Sequence, residues 1–160
     1  MTGELFKLRT GAQIVHVPYK GGGLSVSDTV AGQITSVFVA SAVSAPMVKG
    51  GKLRALSVAA AKRSSVVPDV PTFDESGVKD FIVLNWFGII GPAKMPGDIT
   101  ARINSDLAKV VKTPDLPERL TKDGAIPAGD LTPDEFAAFI KAEMAKWGKA
   151  VKDSGAKADL

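Results

Sequence analysis

Apolar side chains recur along this chain in two rhythms. Up to residue 59, short β-branched apolar runs alternate with glycine-bounded segments of helical composition, and beyond residue 97 helical spacing alone continues. Residues 3–9 read as the last turns of a helix stopped by Gly11. Residues 13–17, 34–40 and 53–59 predict strands, with helices between them at 24–31, closed by Gly32, and at 42–49, closed by Gly50 and Gly51. That order predicts right-handed βαβ crossovers and a parallel sheet.

Residues 62–70 read as a loop, and Thr72 with Glu75 as a capping box for a short helix ending at Gly77. Residues 81–90 predict a long apolar strand. After Gly91 and Pro92 the pattern is helical throughout. Ile99, Ile103, Leu107, Val110 and Val111 share one helical face, and Pro114 behind Thr113 opens a helix through residue 120. Thr132, Pro133 and Glu135 supply the cap, first-turn proline and capping-box acid of a last helix. Its apolar stripe is Phe136, Phe139, Ile140, Met144, Trp147 and Val151. The sheet expected over 13–59 has its own short helices, so the helices at 98–111, 114–121 and 133–152 have no obvious partner within the chain. A homodimer is expected, with Trp86, Phe87 and the last helix in its interface.

Composition narrows the classes. With 45% apolar and 23% charged residues the chain can bury a core and is not a disordered tail. Its 20 basic and 17 acidic side chains are scattered, and no basic stripe interleaved with aromatics suggests a nucleic-acid partner. The absence of cysteine excludes a disulfide scaffold, a thiolate zinc site and a cysteine nucleophile, and leaves the compartment open. Residues 1–10 hold no apolar run of signal-peptide length, and no segment approaches the ~20 apolar residues of a membrane span. The expectation is a soluble chain with no export signal of its own.

The sharpest chemical feature is Gly21, Gly22 and Gly23 between a predicted strand and a predicted helix. Glycines allow a ligand close to the backbone, and a helix start presents unpaired N–H groups and a positive dipole end. Such a corner suits a carboxylate or phosphate, with Ser25 and Ser27 adding hydroxyls; the same residues also make a plain tight βα turn. The loop is neither a Walker A sequence nor Gly-x-Gly-x-x-Gly. Ser41, at the carboxyl end of the 34–40 strand, stands where open α/β sheets bind ligands, or is an N-cap for the next helix. The single histidine, His16, falls inside a predicted strand and reads as packed. Asp28 has no evident general-base partner. No nucleophile elbow and no metal-ligand spacing occur, so no catalytic residue, metal or cofactor is assigned.

His16-Val17-Pro18-Tyr19-Lys20-Gly21-Gly22-Gly23 resembles the second-lobe loop of the tripartite tricarboxylate transporter receptors, the Bug proteins. The resemblance continues through Ala31-Gly32-Gln33, Lys52-Leu53-Arg54-Ala55-Leu56, Ala61-Lys62-Arg63-Ser64, Pro68-Asp69-Val70-Pro71-Thr72, Glu75-Ser76-Gly77 and Trp86-Phe87-Gly88. It closes with Ile103-Asn104, Pro133-Asp134-Glu135-Phe136 and Lys146-Trp147, and so covers essentially the whole chain. It implies an α/β fold: a periplasmic-binding-protein-like (type II) lobe with parallel βαβ units, then a mainly helical C-terminal segment of an incomplete first lobe. Residues 11–80 would be the ligand-binding second lobe; residues 1–10 and 81–160 would belong to the first.

The resemblance further implies an extracytoplasmic, periplasmic receptor for a small organic carboxylate, working with membrane transporter subunits and not an enzyme. The amides of Gly22 and Gly23 would hold the carboxylate, with Tyr19, Gly21, Ser25, Ser27 and Ser41 completing the candidate binding set. Members usually begin with a signal peptide and a first lobe, which this chain is expected to lack. Many also carry an acidic residue or Asn where this chain has Val39-Ala40, which favours a plain organic or aromatic acid over an amino acid. The competing readings are a non-transport interaction module or degenerate receptor remnant, and an enzyme of small organic acids.

Overall fold

The computed structural model describes residues 1–122, 125–129 and 131–156. Two compact units divide it: Met1–Asn85 with Ala150–Leu160, and Trp86–Lys149.

The first unit holds helices α1 (Thr2–Thr10), α2 (Gly22–Val30) and α3 (Ser41–Lys49). Gly11 ends α1 in the left-handed region at φ 70°, its N–H returning to the Lys7 carbonyl at 2.8 Å. Helices α2 and α3 pack on each other. A small aliphatic core gathers Ala45 of α3 with Val58, Val66, Val67 and Val70. Beside it, Phe6, Phe38, Phe73 and Phe81 form an aromatic cluster with ring centroids 4.6–6.5 Å apart, and Phe81 is buried.

The strands expected at 13–17, 34–40 and 81–90 form no ladder among the described residues. Among the described residues, strand-like pairing is confined to Val58 and Ala59 at the end of the 53–59 segment. Val58 makes a parallel bridge with Thr72, donating to Pro71 O at 2.9 Å and accepting from Phe73 N at 3.1 Å, and Val83 N–H bonds Ala59 O at 2.9 Å. Apolar, β-branched composition makes a segment fit for a sheet, but only a neighbour's backbone completes a strand. His16 is exposed and not held in a strand, contrary to the packed reading.

The capping box at Thr72 and Glu75 is present, with Thr72 N to Glu75 Oε2 at 2.7 Å and Glu75 N to Thr72 Oγ1 at 3.1 Å. It caps a turn and not the expected helix. Gly77, at φ 93°, arrives before a second helical turn can offset the cost of nucleation.

The second unit is helical: α4 (Gly97–Val111), α5 (Asp115–Lys122) and most of α6 (Pro133–Ser154). The box opening α6 forms as read, Thr132 N to Glu135 Oε2 at 2.8 Å and Glu135 N to Thr132 Oγ1 at 3.2 Å. Trp86 packs edge-on against Phe136 and Phe139, at 5.8 and 5.2 Å between centroids. Glu143 accepts from Lys146 at 3.1 Å and from Trp147 Nε1 at 3.0 Å. Yet none of the described residues between 86 and 149 is buried. The apolar stripes of this unit are half-buried at most, and of its helices only α4 and α5 pack on each other.

Candidate functional site

The glycine corner is built as the residue types require. Gly21 is the N-cap of α2 at φ 157° and ψ 159°, a region open essentially to glycine alone. With no side chain at the cap, nothing from that residue satisfies the first-turn N–H groups of α2, which have no intrahelical acceptor. Gly22 begins the helix against α3 and the segment before it. A Cβ there would stand 2.7 Å from Val39 Cγ2 and 3.8 Å from Val43 Cγ1. Gly23 is exposed, and a Cβ there would meet nothing within 4 Å.

The serines divide by exposure. Ser25 is buried and donates its hydroxyl to Gly22 O at 2.9 Å, bracing the first turn from inside. Ser27 is exposed and donates to Gly23 O at 3.1 Å. Ser41 is the first residue of α3; the N-cap is Ala40, with no side-chain cap bond, so the N-cap reading of Ser41 is corrected. Val39 and Val43 flank Ser41 and both lie against Gly22, which brings the two candidate segments side by side.

Tyr19 is half-buried, and its hydroxyl donates to Asp28 Oδ2 at 2.7 Å. That hydrogen bond, then burial and the charge of Asp28, hold the Tyr19 phenol above its ordinary 10.0. Asp28 thus gains a hydrogen-bond donor that the sequence did not signal, and not a general-base partner. The pair lies nine residues apart across a loop, beyond any helical or strand periodicity. Its only linear signal is a lone tyrosine just before the glycines and an acid in the helix after them.

A concavity of about 570 Å³, apart from the glycine corner, is lined in part by Lys62, Arg63, Asp74, Glu75 and Asp80. Arg63 Nε bonds both Glu75 oxygens at 3.2 and 3.0 Å, and Lys79 pairs with Asp74 at 2.9 Å. Arg63 and then the Thr72 backbone hold Glu75 below its ordinary range. With Lys79 on Asp74 and Arg63 on Glu75, the strongest charges of this cleft are already paired with one another. Among the described residues no group of three or more His, Asp or Glu is placed to hold a metal, and no helix is long and apolar enough to cross a membrane.

Residues 1–156 match the family model described as tripartite tricarboxylate transporter family receptor. The chain belongs to that receptor family. Protein BugT of Bordetella pertussis is 33% identical over 154 residues, which is 96% of this chain and 47% of BugT. The solved structure of R. palustris Rpa4515 with adipate is similar at a TM-score of 0.83 and 31% identity, covering 96% of this chain and 51% of that one. MatC from Rhodopseudomonas palustris, solved with bound malate, is similar at a TM-score of 0.75 and 28% identity, over 94% of this chain and 52% of that one. The chain thus spans about half the length of these receptors and shares the fold of that half.

Proposed function

We propose that this chain is the carboxylate-holding part of an extracytoplasmic solute receptor. The observation that carries the reading is the glycine corner: an uncapped helix start at Gly22 and Gly23, with Val39 and Val43 as an apolar floor. The N–H groups and dipole of that turn meet a carboxylate, and the aliphatic floor takes the carbon chain of an organic acid. Ser27 and Ser41 stand at the margin. Two similar receptors were solved with adipate and with malate, both small carboxylates, which supports the same ligand class here.

In this reading residues 11–80 are the ligand-binding second lobe, with their apolar segments in a parallel sheet, and residues 1–10 and 81–160 belong to an incomplete first lobe; parts of that last range lie outside the described residues. The receptor works in the periplasm, hands its ligand to membrane transporter subunits, and turns nothing over. A ligand gripped by one lobe binds more weakly than one enclosed by two, because closure excludes water and strengthens each hydrogen bond.

Thermal melting against a panel of mono- and dicarboxylates tests this. At ten times Kd a ligand specific to the folded state adds about 1.4 kcal/mol, which raises the Tm of a domain this size by roughly 3–6 °C. Adipate or malate at 10 mM is expected to produce such a rise, and an amine of matched length none. No carboxylate-dependent shift up to 50 mM contradicts the reading.

A further inference from the structure

We propose that Tyr19 and Asp28 form a clasp that fixes the glycine corner, making Tyr19 a positioning residue and not a contact of the ligand. The inference rests on the corner being the carboxylate site.

A tyrosine hydroxyl has one proton to give, and here it goes to Asp28 Oδ2 at 2.7 Å. The hydroxyl therefore turns only lone pairs toward an arriving carboxylate, which repel it. As a ligand contact Tyr19 is poor; as a tether it is well placed. It stands just before the loop, and Asp28 stands in the body of α2, so the bond closes a ring of chain around Lys20 and the three glycines.

That ring is where constraint is needed. Three consecutive glycines sample more backbone conformations than any other tripeptide, and a corner that wanders loses affinity to ordering entropy. A hydrogen bond to a charged acceptor is among the stronger tethers available. Asp28 is free to serve, because among the described residues no cation pairs with it. The other charged side chains between residues 19 and 49 are Lys20, next in the chain, and Lys49, at the far end of α3.

Tyr19 is the only tyrosine in the chain, so tyrosinate absorbance near 295 nm reads this one group. The expected midpoint in the wild-type protein lies above 10.0, and Asp28→Asn returns it toward 10.0. By calorimetry, Tyr19→Phe is expected to weaken adipate binding roughly 3–10-fold with the far-UV spectrum unchanged. Linkage is reciprocal, so saturating adipate should raise the Tyr19 midpoint in turn, by roughly 0.5–1 pH unit for that coupling. A purely structural role for the bond would leave the midpoint indifferent to adipate. Wild-type and Tyr19→Phe proteins that bind adipate equally overturn the positioning role and leave the corner reading standing. A wild-type protein that binds no adipate overturns the corner reading and the positioning role with it. A wild-type midpoint at 10.0 or below overturns the clasp itself.

Discussion

At micromolar concentration the chain is expected to sediment as a homodimer, and Phe87→Asp combined with Ile90→Asp to return it to a monomer of unchanged helicity. The reason lies in residues 86–149. No described residue there is buried, Phe87 is 91% exposed, Ile90 81% and Met144 71%. Trp86, Phe136 and Phe139 gather into a cluster that is the start of a core without its other side. Burying one large apolar side chain contributes about 1.5–3 kcal/mol. A twofold interface counts each substitution twice, so the double variant removes on the order of 6 kcal/mol or more, roughly four decades in Kd. Exposed large apolar side chains in this number mark an association site. Sedimentation across a hundredfold concentration range measures it. A wild-type monomer with a single cooperative melt would contradict the dimer.

The second large effect separates two neighbouring glycines. Gly22→Val is expected to damage the fold, because its Cβ would stand 2.7 Å from Val39 Cγ2 where α2 meets the segment leading into α3. Overpacking of this sort costs about 1–3 kcal/mol, or roughly 2–12 °C in Tm for a chain of this size. Gly23→Val has open space around its Cβ and a helical backbone, so its melt should stay near wild type. Its side chain would cover the exposed N–H groups, and adipate affinity is expected to fall at least about tenfold. Melting and calorimetry on both variants resolve the pair. Gly23→Val binding adipate as tightly as wild type would remove the corner from consideration.

The helices were legible because their signals are local. The expected 98–111 is α4, Gly97–Val111, and the Thr132–Glu135 box opens α6 at Pro133, the residue expected. Gly11 and the glycines at 50 and 51 end helices where the pattern placed them. What the linear pattern could not supply is pairing between distant segments. Residues 34–40 read as a strand from composition, but what the structure gives them is contact: Phe38 joins the aromatic cluster and Val39 lies against Gly22. The Thr72–Glu75 box was legible, and its outcome as a turn was not, since that depends on Gly77 and on Arg63 holding Glu75 from twelve residues away. At the candidate site the glycines announced themselves. Tyr19 and Asp28 did not, because a hydrogen bond across a loop leaves no periodicity.

The central claim is that the first-turn amides of α2 hold a carboxylate, and amide chemical shifts read those groups directly. In a ¹⁵N-labelled sample titrated with adipate, the Gly22 and Gly23 resonances are expected to show the largest saturable changes, moving downfield as their N–H groups acquire a charged acceptor, with smaller changes at Val39 and Ser41. Saturable shifts centred on another surface, such as the cleft at Lys62 and Arg63, or no saturable shift at Gly22 and Gly23 up to 50 mM adipate, would contradict it.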